Sequence, residues 1–196
     1  ANRGYFGHMC ELYAMWAWIG VFLYASFNQS MGSGQEITAT YLAGLTTFLV
    51  VGVGALGALF GGVLADRIGR TTLTISAMLI SGLCSLVIGF LFGGSVTLLV
   101  IVALIWGISV IADSAQFSSC IIELSDPDYL GTMLTAQTCI GFLLTLITIH
   151  MIPPLVDLLS WKYAFAPLAI GPFLGVLAMV RLRRHPDAIR LAGGNR

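Results

Sequence analysis

The sequence predicts an all-α integral membrane protein with six transmembrane helices, and three observations carry that prediction. Its 196 residues are 58% hydrophobic and only 9% charged, whereas a soluble domain carries about 25% charged side chains. The few charges punctuate long neutral runs: 24 residues separate Glu11 from Glu36, 29 separate Glu36 from Asp66, and 42 separate Arg70 from Asp113. A further 28 separate Asp128 from Asp157, and 18 separate Lys162 from Arg181. With six spans drawn through these runs, Arg3, Arg67, Arg70, Arg181, Arg183, Arg184, Arg190 and Arg196 all fall on one side, and only Lys162 falls opposite.

A spanning helix needs about 20 mostly apolar residues, because the hydrocarbon core is roughly 30 Å thick and each residue rises 1.5 Å. The first helix is expected over 6–27, between the opening charges and Asn28. The second is expected over 39–64, ending at Asp66. The neutral run after Arg70 holds two helices, 71–92 and 96–120, divided by the turn Gly93-Gly94-Ser95, with Ser95 as the N-cap of the second. Ser125-Asp126-Pro127 places a cap ahead of a proline at the first turn of the fifth helix, 129–151. Pro153-Pro154 then stops it, because proline lacks the amide hydrogen that a helix needs. Ser160 is expected to cap the sixth helix, 161–181. The bundle thus occupies 1–182, and a polar tail, 183–196, is expected to fray. The positive-inside rule places both ends of the bundle in the cytoplasm.

Composition also excludes whole classes. The formal net charge is zero, so no basic field attracts nucleic acid. Cys10, Cys84, Cys120 and Cys139 lie far apart in apolar stretches and form neither a CxxC pair nor a disulfide framework. There is no HExxH, no GxSxG and no ligand set suited to a metal, so neither an enzyme nor a cofactor is expected. The sequence begins at Ala1, with no signal peptide ahead of the first apolar run; it is expected to be a piece of a longer chain or a processed product.

Glycines crowd the second helix at positions 52, 54, 57, 61 and 62, with Gly57 and Gly61 in GxxxG spacing, and Gly171 and Gly175 repeat that spacing in the sixth. Small residues let membrane helices approach closely, so these are expected to be packing positions.

Between the second and third helices runs Gly62-Val63-Leu64-Ala65-Asp66-Arg67-Ile68-Gly69-Arg70-Thr71. This resembles the signature loop of the major facilitator superfamily, G-x-L-a-D-r-x-G-r-[KR], at the place that loop holds in a six-helix half. Gly62, Leu64, Asp66, Arg67, Gly69 and Arg70 match; Thr71 departs from the usual basic residue. In physical terms Gly62 allows close packing near the helix end, and Gly69 can take a positive φ in a short link. Asp66 suits the positive end of a neighbouring helix. The resemblance implies that this helix belongs to a second bundle absent from the sequence, so Asp66 is expected without it here.

The opening Gly4-Tyr5-Phe6-Gly7-His8-Met9-Cys10-Glu11-Leu12-Tyr13-Ala14-Met15-Trp16, and Ala112-Asp113-Ser114-Ala115-Gln116-Phe117-Ser118, are similar to the seventh and tenth helices of bacterial facilitator proteins grouped loosely with nitrate and nitrite porters. The resemblance implies a C-terminal half and a bacterial inner membrane. It does not imply nitrate: those porters hold the anion with an intramembrane Arg in the second helix of each half, and Thr38–Ala65 has no Arg or Lys.

Ionisable groups inside a membrane are costly and are functional candidates by default. Glu11 in the first helix and Asp113 in the fourth fall at similar depth. The resemblance implies that these two helices line the central cavity. Two carboxylates close together at low dielectric do not both ionise, so such a pair suits a proton-coupled carrier. His8, three residues before Glu11, is expected to share its proton. Tyr13, Tyr24, Trp16, Asn28, Gln116, Gln137 and Thr138 are further polar or aromatic candidates. The alternatives are structural: Glu11 anchored by Arg3 or His8, Asp113 bonded to Ser114, Gln116 or backbone, and Glu123, Asp126 and Asp128 capping the fifth helix.

The expected function is therefore one half of a secondary carrier, a symporter or antiporter, binding a small solute between two halves and rocking between access states. Its partners are the lipid bilayer, the small-molecule substrate, and either the missing N-terminal half or a second copy. The rival class is a receptor or assembly factor reusing the fold without transport.

Overall fold

The computed structural model describes residues 1–195. Its helices are α1 (Asn2–Met31), α2 (Glu36–Ile68), α3 (Arg70–Val87, tightening into a 3-10 turn Ile88–Leu91), α4 (Val96–Ala112), α5 (Ser114–Leu124), α6 (Leu130–Leu159), α7 (Trp161–Ala164) and α8 (Ile170–Arg183). They make six segments long and apolar enough to cross a membrane, the fourth from α4 and α5 together and the sixth from α7 and α8. This is an all-α, multi-pass membrane protein. The long helices exceed the expected spans: α1 has 30 residues and α2 has 33. At 1.5 Å per residue they reach about 45 Å, enough to cross the headgroup layers as well as the hydrocarbon.

The central element is α1, which packs on α2, α4, α5, α6 and α8. Its inner face buries Met15, Ile19, Phe22, Leu23 and Phe27 completely. Phe22 meets Phe165 edge-on at 5.2 Å, and Phe165 meets Trp106 at 5.3 Å. Edge-on pairs suit the ring quadrupole and hold this end of the core in register.

Glycine sets two helix–helix distances. A Cβ on Gly57 or Gly61 of α2 would run into the main-chain carbonyl of Ile108 or Ala112, and one on Gly107 into that of Val50. Gly7 of α1 and Gly171 of α8 exclude a Cβ from each other in the same way. Backbones in direct contact gain dispersion along their length, which drives association where lipid offers no hydrophobic contrast. The contact expected at Gly62 is absent: nothing lies within 4 Å of its Cβ direction. One residue rotates a helix by 100°, so Gly61 takes the contact and Gly62 turns away.

Four expectations are corrected. First, α6 does not stop at Pro153-Pro154 but continues to Leu159. Pro153 removes the amide that would bond the Ile149 carbonyl, and the Trp18 indole N–H of α1 donates to that carbonyl at 2.9 Å instead. The lost rung is replaced from a neighbouring helix, so the proline does not end the helix. Second, the fourth span is broken at Asp113, where the Gln116 amide bonds the Asp113 carbonyl in a tight turn at 3.0 Å. Third, Ser160 caps nothing with its side chain; it ends α6 with a φ of 62° while its amide bonds the Val156 carbonyl. Ser95 does cap α4, weakly, accepting the Leu98 amide at 3.5 Å.

Fourth, the tail is not frayed over its described part. Its turns over Pro186–Gly194 bury Ala188 and Leu191 against Tyr5, Phe117, Cys120 and Met179. Arg183 donates to the Thr72 hydroxyl at 2.9 Å, and the Asn195 side-chain amide donates to the Asp66 carbonyl at 2.9 Å. Two apolar residues at helical spacing suffice to dock a segment that is polar on average. Arg196 lies outside the described residues.

Candidate buried polar site

The candidate site starts where α1 carries its one carboxylate. Glu11 is 1% exposed, yet both oxygens are satisfied from other helices. Oε2 accepts the Ser81 hydroxyl of α3 at 2.8 Å, and Oε1 accepts the Trp106 indole N–H of α4 at 2.9 Å. Ser81 also lies 3.2 Å from the Met78 carbonyl. A hydroxyl has one proton to give, and an ionised Glu11 at the shorter distance takes it, because charge-assisted bonds are stronger. The structural alternative of an anchor to Arg3 or His8 is therefore corrected: Arg3 is exposed at the helix end, and both oxygens of Glu11 are taken by Ser81 and Trp106 rather than by His8.

His8 sits one turn along α1 and is 2% exposed. It does not join Glu11 in a shared hydrogen bond as expected. Its Nδ1 lies 3.0 Å from Asp113 Oδ1, an ion-pair distance without hydrogen-bond alignment. Among the described residues its Nε2 is buried without a partner, and its ring packs on Phe117 at 5.5 Å. Asp113, 2% exposed, occupies the break between α4 and α5. There it faces the positive end of an 11-residue helix, α5, which favours an anion. The expected bonds from Asp113's side chain to Ser114 or Gln116 do not form.

One turn past Asp113 along α5 comes Gln116, 1% exposed, whose oxygen accepts Arg70 Nη1 at 2.8 Å. Arg70 also grips Glu123, with Nε 2.9 Å from each carboxylate oxygen and Nη2 at 2.7 Å from Oε1. Such a planar, multiply bonded pair is the strongest geometry open to arginine. Glu123 therefore does not cap the fifth helix as expected; it is held by Arg70 and accepts the Ala192 amide of the tail at 3.0 Å. Asp126 does act as a cap, accepting the Asp128 amide at 3.1 Å. Polar side chains thus succeed one another from Glu11 through His8, Asp113, Gln116, Arg70 and Glu123 to the end of the bundle.

Within the signature loop, Gly69 has the expected positive φ, 96°, with its amide bonded to the Ala65 carbonyl at 3.0 Å. Arg67 is exposed. Asp66 is 68% exposed and lies 3.5 Å from Arg70, its charged contact in this structure.

The remaining candidates lie elsewhere. Tyr13 and Trp16 touch edge-on at 5.6 Å, with Trp16 on the exposed face of α1 beside Tyr24. Gln137 is buried on α6 and donates to Asn2 at 3.4 Å, apart from the acids. Sequence reasoning missed Ser81 as a partner. A hydroxyl in mid-span and a tryptophan far from the interface were the available signals for the two groups that hold Glu11.

Among the described residues no cluster of His, Cys, Asp and Glu is arranged to hold a metal. No family model matches the sequence, and no curated protein matches it.

Proposed function

We propose that the chain is one six-helix half of a secondary transporter of the major facilitator type, moving a small solute across a bacterial inner membrane with proton coupling. The observation that carries this reading is the Glu11, His8 and Asp113 group. It places three titratable side chains inside the bundle, on the first and fourth spans, and Gln116, one turn past Asp113, bonds Arg70 of the signature loop. A buried acid bonded to Ser81 and Trp106 accepts both as charge-assisted bonds when ionised; protonation turns one of its oxygens into a donor and weakens these bonds, which couples proton binding to the packing of α1 against α3 and α4. The cluster of arginines at the Arg67 end supports placing that end in the cytoplasm. The aromatic face of α1, with Trp16 and Tyr24 exposed and Tyr13 half-buried between it and Phe142 of α6, is one wall of a solute path; the missing N-terminal half or a second copy supplies the other.

The rival reading, a non-transporting receptor or assembly factor, is favoured by one fact: Glu11 and Asp113 are sealed inside the bundle rather than on its open face. Infrared difference spectroscopy of the chain in liposomes separates the two. The carrier reading expects a carboxyl C=O band that changes between pH 5 and 8 and disappears in Glu11→Gln or Asp113→Asn. Uptake of a solute panel driven by a pH gradient then tests coupling. Should both acids keep one protonation state across that range, proton coupling is refuted and they are structural.

A further inference from the structure

Both α6 and α8 pack on α1 but scarcely on each other. Between them lies a groove of about 1080 Å³. Phe6 and Cys10 form its floor, Met133 and Met151 stand on the α6 wall, and Leu174 and Ala178 on the α8 wall. From Pro167 to Arg181 it follows α8 for roughly 20 Å at 1.5 Å per residue. One leaflet occupies about half of a 30 Å hydrocarbon core, so the groove takes a full acyl chain.

Its chemistry changes at one end. Arg3, in the first turn of α1, and Arg181, in the last turn of α8, line it beside Ser125, and no acidic residue does. Among the described residues neither arginine has a hydrogen bond or an ion pair, whereas Arg70, at the same end, is held by Glu123. An apolar slot the length of a leaflet, ending at two uncommitted guanidinium groups, matches a lipid tail attached to an anion.

We propose that this groove binds one anionic phospholipid, an acyl chain lying along α1 between α6 and α8 and the phosphate at the Arg3 and Arg181 end. The proposal is independent of transport and of which side of the membrane that end faces.

The test is native mass spectrometry of the purified chain in mild detergent, titrated with phosphatidylglycerol or phosphatidylcholine of identical acyl chains. A basic residue near an anionic headgroup contributes about a fivefold preference, so two predict roughly 25-fold in favour of phosphatidylglycerol. The double variant Arg3→Gln with Arg181→Gln should bring phosphatidylglycerol down to the phosphatidylcholine level, whereas Arg3→Lys with Arg181→Lys should keep most of the preference. Ala178→Trp, which fills the slot, should reduce both lipids. If that variant does not fold, the arginine variants, at exposed ends, decide the matter alone. Equal binding of the two lipids, or a preference that survives the double glutamine variant, overturns the proposal. So does a dimer that Ala178→Trp dissociates while lipid binding stays unchanged, since the groove then holds a second copy.

Discussion

Replacing Trp18 with phenylalanine should expose how α6 survives its proline pair. In the native chain the Ile149 carbonyl accepts one hydrogen bond, from Trp18 Nε1 at 2.9 Å, because residue 153 has no amide to offer. Trp18→Phe keeps an aromatic ring and deletes the donor. An unsatisfied buried acceptor costs about 1–3 kcal/mol, while side-chain bonds in membrane bundles average roughly 0.6 and reach about 1.7 kcal/mol. The hydrogen-bond part of the loss is therefore about 1–2 kcal/mol. Pro153→Ala returns a backbone amide four residues after Ile149. In that background the carbonyl is satisfied from its own helix, and removing the indole should cost about 1 kcal/mol less. The loss of ring volume is common to both backgrounds and cancels in the cycle. Equilibrium unfolding in mixed micelles with rising SDS, followed by far-ultraviolet circular dichroism, measures all four proteins. If the two Trp18→Phe costs agree within about 0.3–0.5 kcal/mol, the range of additive sites, the indole does not replace the missing rung and the reasoning fails.

Gly57→Ala should destabilise by about 1–3 kcal/mol, because its Cβ meets the Ile108 carbonyl; Gly52→Ala on the same helix, with open space around it, should change stability by less than about 0.5 kcal/mol in the same SDS titration. Glu123→Gln weakens the grip on Arg70 and on the tail amide. It should speed hydrogen exchange and proteolysis within 186–194 while leaving the six spans intact, and an unchanged tail would show that its apolar contacts and its other hydrogen bonds hold it without Glu123. Trp106→Phe retains the ring packing on Phe165 but leaves Glu11 with Ser81 as its one donor; a loss of about 1 kcal/mol is expected, measured as a shift in thermal unfolding.

The spans were legible because the bilayer imposes a length and a polarity, so neutral runs between charges located six helices, with ends within about four residues except at the far end of α6, which runs on to Leu159. The acids were legible for the same reason: Glu11 and Asp113 stood out by cost. Their partners were not. His8 and Glu11 share a helical face, which suggested a pair, but the choice of Asp113 for His8 and of Ser81 and Trp106 for Glu11 depends on how four helices rotate against one another. The proline pair misled for a related reason. Proline ends a helix when its orphaned carbonyl finds no donor, and whether Trp18 arrives from 131 residues away is not written in the local pattern. The tail was misjudged because average polarity hid Ala188 and Leu191, whose contacts on Phe117 and Met179 outweigh it. Gly57 and Gly61 were readable as packing positions, and Gly62 was not separable from them without the helix phase.

The wiring of Glu11 also orders events during synthesis. Of the six spans α1 leaves the ribosome first, carrying a carboxylate that is costly to place in a bilayer until it finds partners. Its two donors come later, Ser81 in the third span and Trp106 in the fourth. The close backbone partner of Gly7 comes later still, in α8. Until the third and fourth spans emerge the carboxyl group has neither hydroxyl nor indole, and α1 is the least hydrophobic of the six. Stable insertion of α1 is therefore expected to be complete only when some 95 further residues have emerged. A ribosome stalled after α2 would leave a span that can still be extracted; one stalled after α4 would leave a span that cannot.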